Sequence, residues 1–242
     1  MSNKLHIITP VKDSLETTQR TIEAVMASTL PVHFDYFIYN DFSSDENTQQ
    51  LIALSQRSGD RLHLINLKEI TTHPSPNYLL ILRMARTKAI LEQSHLLIIE
   101  SDVVVKEDTI QQLYGYAQSL EKAGMVSAIT TDRNGNINFP SLYAKNYRKG
   151  VVATCKRIGF CCTLLTNKLL STLDFDILNN RQDWFDVTIS RLSRKSGFYN
   201  YLITSTPVVH LPHSSRPWKL LKYSNPWQYY WLKYTKQLKI KR

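Results

Sequence analysis

HLLIIESD, residues 95–102, decides how this chain is read. Leu96, Leu97, Ile98 and Ile99 form an unbroken apolar run with no polar alternation. A short strand of that kind is buried on both faces, which is the condition of the middle of a sheet covered on both sides by helices. It stops abruptly in Glu100-Ser101-Asp102. Acids at the carboxyl end of a buried strand lie where open α/β sheets bind their ligands. Side chains alternate along a strand, so Glu100 and Asp102, two residues apart at its end, are expected on one face. Two carboxylates aimed at one spot suit a hard divalent cation.

Working outward, the same grammar repeats. Upstream, residues 77–93 read as a helix, RLHLINL (61–67) as a strand and DENTQQLIALSQRSG (45–59) as a helix. HFDYFIYND (33–41) is another strand, and LHIITPV (5–11) opens the chain's first, followed by a helix over 14–28 with Ser14 or Asp13 as its N-cap. Downstream, Asp108-Thr109 caps a helix expected to run to Gly124, and MVSAITTD (125–132) is the next strand. Strands alternating with helices favour a mostly parallel sheet. The second half is more mixed: NGNINFP (134–140) is turn-rich, RIGFCCTLLTNKLL (157–170) is apolar and then helical, DWFDVTISRLSRKSG (183–197) is a helix ending at Gly197, and YNYLITSTPVVHLPH (199–213) is strand-like. Three polar clusters fall after strands: Thr9-Pro10, Asn40-Asp41 and Glu100-Ser101-Asp102.

Composition narrows the classes. The chain has 242 residues, 43% hydrophobic and 21% charged, ordinary values for a globular protein. Cys155, Cys161 and Cys162 are the only cysteines, which excludes a disulfide framework and a paired-CxxC zinc site and fits a reducing compartment. The adjacent pair Cys161-Cys162 reads as small core residues. The seven glycines form neither GxGxxG nor GxxxxGK[ST], so the dinucleotide and P-loop fingerprints are missing. No secretion signal or apolar run long enough to span a bilayer is read.

The net charge of +10 is unevenly spread. Residues 1–186 carry −1, and the remainder carries +11 with no carboxylate. Within 214–242, Asn225-Pro226 signals a helix start, after which Trp227, Tyr230, Trp231, Tyr234 and Leu238 fall on one stripe, with Lys233, Lys236 and Lys239 away from it. A basic helix with a Trp/Tyr face is expected at an anionic membrane surface; packing of that face on the domain or on a second copy is the alternative. A nucleic acid is not expected as partner, because the body of the chain is near neutral.

Taken in order, IITPVKD (7–13), YNDFSSDENT (39–48), Ala85-Arg86-Thr87, LLIIESDVVV (96–105), GFCCTLLTNKLLSTLDFD (159–176) and the 183–213 block resemble the successive motifs of family 2 glycosyltransferases of the GT-A fold. Asn40 stands where that family has the first Asp of a pair, Phe42 where it has Gly, Glu100 where it has the first Asp of DxD, and Gln182 where an acid often precedes Asp183.

The resemblance implies a Rossmann-like, mixed but mostly parallel sheet flanked by helices. A catalytic domain over 1–213 divides into a nucleotide-sugar half (about 1–105) and an acceptor half (about 106–213), with 214–242 as an amphipathic tail. It implies an inverting, metal-dependent transfer from a nucleoside-diphosphate sugar, with UDP-sugars favoured, to a glycan or lipid-linked acceptor in cell-surface polysaccharide synthesis. Carried over by position, Thr9, Pro10, Asp41, Arg86, Glu100 and Ser101 bind the nucleotide sugar. Asp102 and His210 hold Mn²⁺ or Mg²⁺, with His213 a weaker candidate. Asp183 is the expected base, with Asp186 competing for the role. The expected location is the cytoplasmic face of a membrane, peripherally bound. A degenerate GT-A-like protein or a basic binding protein is the alternative.

Overall fold

The computed structural model describes residues 4–30, 32–179, 184–211, 221 and 225–235. Nine strands join one sheet that spans both expected halves of the body. The first half alternates as read from the sequence: β1 (Lys4–Val11), α1 (Leu15–Met26), β2 (His33–Asn40), α2 (Asp45–Arg57), β3 (Leu62–Asn66), α3 (Tyr78–Leu91) and β4 (His95–Ile99). β3, β2, β1 and β4 lie side by side in that order, all parallel, with Ile8 opposite Ile98 and Pro10 opposite Tyr39.

The period of two along each strand sorts side chains onto two cores. Leu5, Ile7, Tyr36, Ile38, Leu97 and Ile99 join one cluster with Ile22 and Val25 of α1 and Leu51 of α2. Ile8, Phe37, Tyr39, Leu96 and Ile98 join the other with Leu79, Ile81 and Leu82 of α3. β4 is buried at every position, as its apolar run requires.

The later elements are β5 (Val103–Val104), α4 (Thr109–Ser119), β6 (Ala123–Thr131), β7 (Val151–Ala153), β8 (Cys162–Leu165), α5 (Asn167–Thr172), α6 (Phe185–Lys195), β9 (Tyr199–His210) and α7 (Pro226–Tyr234). α4 stops five residues short of Gly124, and Gly124 lies inside β6 instead. A Cβ there would come within 2.4 Å of Ser193 Oγ and 2.7 Å of Phe198 Cβ, so this glycine lets α6 and its following turn close on β6. β8 inserts antiparallel between β4 and β6, and β6 then runs parallel to β9. The sheet therefore changes direction at β8. β9 also takes β5 and β7 as antiparallel neighbours.

Caps follow the sequence in part. Ser44 accepts from Asn47 N–H at the start of α2, and Asn225 accepts from Gln228 N–H at the start of α7. Ser14 and Asp108 precede α1 and α4 without a side-chain capping bond; Asp108 accepts from Gln112 Nε2 instead. In α7 the buried residue is Tyr229, which is off the expected stripe, while Trp227, Tyr230, Trp231 and Tyr234 are 89%, 56%, 62% and 91% exposed. Leu238, Lys236 and Lys239 lie outside the described residues. Among the described residues no helix is long and apolar enough to cross a membrane.

One buried histidine links the fold to pH. His95 Nδ1 accepts from Asn167 N–H at 2.9 Å, and Nε2 meets Gln118 Nε2 at 3.1 Å. Burial pushes its pKa down to about 4, so the folded state holds it neutral where the unfolded chain would protonate it. Stability from this residue is complete above pH ~6.5 and falls by up to ~3 kcal/mol as the pH drops toward 4. Burial lowers the His6 pKa as well, with the same sign. Urea midpoints measured across this window will fall in the native chain and fall distinctly less in His95→Gln, whose amide still accepts from Asn167.

Candidate active site

The carboxyl ends of β1, β2 and β4, with Asn40-Asp41 and the acidic turn at the last two, lie along one edge of the sheet, because these strands are parallel and in register. At the end of β2, the side chain of Asn40 builds the turn. Its Nδ2 donates to Thr48 Oγ1 at 2.9 Å and Asn66 Oδ1 at 3.0 Å, and its Oδ1 accepts from Ser43 N–H. A carboxylate could not donate both bonds, which accounts for Asn at this position. Phe42 follows at φ 60°, a left-handed conformation costly for a bulky residue, and its ring packs on the second core.

Between these two, Asp41 is buried and turned sideways. Its Oδ2 accepts from Ser75 Oγ (2.7 Å) and Asn77 N–H (2.9 Å), and its Oδ1 from Asn77 Nδ2 (2.8 Å). The carboxylate thus fixes the segment that leads into α3. Tyr78, the first residue of that helix, stacks on Phe185 with centroids 6.0 Å apart. Its hydroxyl is buried and has no hydrogen-bond partner among the described residues. Burial, and then the negative charges of Glu100 and Asp186, hold its pKa well above that of an ordinary phenol.

The strand expected to carry Glu100-Ser101-Asp102 ends at Ile99. The three residues form a turn closed by Val103 N–H to Glu100 C=O at 3.1 Å, while Glu100 N–H bonds Cys161 C=O at 3.0 Å. Each acid is still brought near His210, through pairing rather than strand alternation. Val103 lies opposite His210, and Leu211 N–H donates to Asp102 C=O at 2.7 Å. Asp102 Oδ2 is then 3.5 Å from His210 Nε2. Ligand atoms of Glu100, Cys161 and His210 all lie within 4.8 Å of one another.

His210 Nδ1 lies 2.7 Å from Phe139 C=O, so Nδ1 carries a proton and Nε2 faces the carboxylates. Burial would lower the pKa of His210, but Asp102 beside it, with Glu100 and the Phe139 carbonyl, outweighs burial and raises it. An imidazole tied through Nδ1–H to a backbone carbonyl, with carboxylates on its other side, is the support a metal-ligating histidine receives. The donor atoms that close on one point are those of Glu100, Cys161 and His210, with Asp102 on the His210 side, and a set of this chemistry fits a divalent cation.

Asp186 lies in the first turn of α6, where burial raises its pKa. Gly159 lies beside it and makes room for Pro140: a Cβ at 159 would lie 2.5 Å from Pro140 Cγ, while its 3.8 Å distance to Asp186 Oδ2 would be ordinary contact. Asp183 and His213 lie outside the described residues.

Two expected nucleotide contacts are turned elsewhere. Thr9 is fully buried and its Oγ1 pairs with Tyr36 OH at 2.8 Å, inside the sheet rather than at its edge. Arg86 Nε donates to Leu170 C=O at 3.0 Å and its guanidinium sits over the Phe175 ring, tying α3 to the segment after α5. Pro10 is half-buried near the end of β1, and Ser101 is half-buried within the acidic turn.

Cys161 and Cys162 are both buried in the first core, as read from the sequence, and Cys161 has a further neighbour that the sequence reading missed: its Sγ lies 3.5 Å from Glu100 Oε2. Burial, then Glu100 and Asp102, holds its thiol pKa well up. The adjacent pair carried the signal, since one of two neighbours before a buried strand must face its end. Nothing local in the sequence marked Tyr78.

The sequence profile described as Glycosyl transferase family 2 matches residues 6–166, more than half of the chain. The chain belongs to this family. No curated protein sequence matches it significantly. Among solved structures, residues 1–349 of TarS from S. aureus superpose with TM-score 0.66 at 13% identity, over 98% of this chain and 75% of that one. The mannosyltransferase PcManGT from Pyrobaculum calidifontis, solved with GDP-Man and Mn²⁺, gives 0.59 at 12% identity over 87% of this chain and 57% of its own. GalNAc-T7, solved with UDP, GalNAc and Mn²⁺, gives 0.64 at 11% identity over 94% and 49%. This chain therefore spans only about half of the last two. At these identities the likeness is one of fold, and it is the GT-A arrangement of glycosyltransferases.

A buried hydroxyl with no partner is a cost carried by the free protein. Tyr78→Phe is therefore expected to hold or raise stability, by about 1 kcal/mol, in a denaturant titration. The same variant is expected to lower glycosyl transfer measurably, the opposite sign to its effect on stability.

Proposed function

We propose that this glycosyltransferase moves a sugar from a nucleoside-diphosphate sugar, a UDP-sugar first, to a hydroxyl of a glycan or lipid-linked acceptor, with inversion at the anomeric carbon. The observation that carries this reading is the placing of His210 between Asp102 and Glu100 at the end of β4 in a family 2 chain. TarS has been solved with UDP-GlcNAc and with UDP, which supports uridine as the first nucleotide to test. Cell-surface polysaccharide synthesis is the process this acceptor class belongs to.

A Mn²⁺ or Mg²⁺ ion held by Glu100, Asp102 and His210 would neutralise charge developing on the leaving diphosphate. The rest of the work falls to side chains. A carboxylate accepts the proton of the acceptor hydroxyl as its oxygen attacks the anomeric carbon opposite the leaving group. The sugar–phosphate bond breaks and the nucleoside diphosphate departs. Asp186 suits the base role because it is ionisable, half-buried and raised in pKa by partial loss of solvent, while Asp183 keeps its claim from the family pattern. The Tyr78 hydroxyl can donate to a donor or acceptor oxygen entering between Glu100 and Asp186. Asp41 acts by fixing the 75–78 segment.

Thermal unfolding with UDP, GDP, CDP and TDP, each with and without Mn²⁺, tests the donor. A metal-dependent rise with one nucleotide is expected. No rise with any of them in a folded sample would favour a degenerate relative. Asp186→Asn is expected to cut turnover by ~10²–10⁴-fold if Asp186 is the base. Wild-type turnover in that variant would pass the role to Asp183.

We further propose that the tail holds the enzyme peripherally on the cytoplasmic face of a membrane. Support comes from α7, whose Trp227, Tyr230, Trp231 and Tyr234 are exposed rather than packed, and from eight Lys and Arg over 214–242 without an acid. Binding to anionic vesicles is expected to fall with salt and to weaken in Trp227→Ala/Trp231→Ala. Equal binding to neutral vesicles would refute the electrostatic part.

A further inference from the structure

We infer that Cys161 is a thiolate ligand in the metal site, giving that site a preference for a borderline-soft ion such as Zn²⁺ or Co²⁺ over Mg²⁺. This rests on the metal site of the transferase reading but concerns a residue that the family pattern does not supply. The geometry is the argument. Sγ of Cys161 is 3.5 Å from Glu100 Oε2, and the donor atoms of Glu100, Cys161 and His210 all fall within 4.8 Å of one another. Asp102 is not one of that group but borders it, its Oδ2 3.5 Å from His210 Nε2. Cys161, Asp102 and His210 are each buried to 5% exposure or less, so an ion among them would be largely stripped of water.

The position of Sγ is enforced rather than incidental. The Cys161 carbonyl accepts from Glu100 N–H, and β8, which starts at the next residue, is locked between β4 and β6. Backbone pairing on both sides therefore holds the thiol beside Glu100. Sites of carboxylate and water alone suit Mg²⁺ and Mn²⁺, whereas imidazole and thiolate shift affinity toward Zn²⁺ and its neighbours. On binding, the thiol proton leaves to solvent as the sulfur–metal bond forms.

The test uses the full chain, stripped of metal with a chelator, in a Cys155→Ser background because Cys155 is exposed. Titration with Co²⁺ is expected to give a thiolate-to-cobalt charge-transfer band in the near ultraviolet, saturating at one ion per chain. Cys161→Ser and Cys161→Ala should lose that band while retaining the visible cobalt transitions; Cys162→Ala should keep both. Zn²⁺ affinity is expected to fall ~tenfold or more in Cys161→Ala, with Mn²⁺ affinity changed less than about threefold.

The inference is overturned if Co²⁺ does not bind, if it binds without the band, if the band survives in both Cys161 variants, or if Zn²⁺ and Mn²⁺ affinities fall together. Turnover of a nucleotide sugar by the native chain with each ion is scored separately. A band without turnover under Mg²⁺, Mn²⁺, Zn²⁺ or Co²⁺ alike would sink the transferase reading and leave the ligand assignment standing.

Discussion

The site depends on one pairing. β5 is only two residues long, and it is held against the end of β9 by Val103 opposite His210 and Val104 opposite Val209. That contact joins residues more than a hundred apart in sequence. It sets Asp102 next to His210, and the Leu211 N–H to Asp102 C=O bond completes the clamp. Without it the acidic turn after β4 would be a solvated loop end. With it, two carboxylates, an imidazole and a thiol share one buried corner at the edge of the sheet.

A second constraint runs through the other half of that edge. Asp41 spends its carboxylate on Ser75 and Asn77, and those bonds fix where α3 begins. Tyr78 follows from that start, and through it the turn after β2 is coupled to Glu100 and Asp186. The two halves of the edge are thus built from different currencies. One is backbone pairing around β9, and the other is a side-chain network around Asp41 with Asn40 and Phe42 shaping the turn.

Local pattern was enough for much of this. The alternation of β1 to β4 with α1 to α3 was legible because each element follows its own period and carries its own breaks. The Asn225-Pro226 start of α7 was legible because capping is a property of four neighbouring residues. What escaped was non-local. A four-residue apolar stretch such as Cys162–Leu165 looks the same whether it pairs parallel, pairs antiparallel or joins a helix, so the reversal at β8 could not be read. Arg86 and Thr9 are polar residues in the right segments, but which way each points is fixed by Phe175 and Tyr36, far away in the chain. Asp41 was legible as a key residue, but its partners Ser75 and Asn77 lie more than thirty residues away and could not be read from local pattern. The stripe on α7 was found with the correct period, yet Tyr229 beside it is what turns inward.

The place of β9 in the chain has a consequence for how the molecule comes into being. β1 to β4 can form their parallel core from the first hundred residues, with contacts between near neighbours in sequence. His210 arrives at the very end of the body, and β9 must find β6, β7 and β5 together. Pairings of such long sequence separation are slow to close. As the chain leaves the ribosome, the carboxylates of the acidic turn therefore wait, exposed, for a partner not yet synthesised. The corner where the acidic turn meets His210 is a late product of folding, and an ion held there would stabilise only chains in which the last strand has docked.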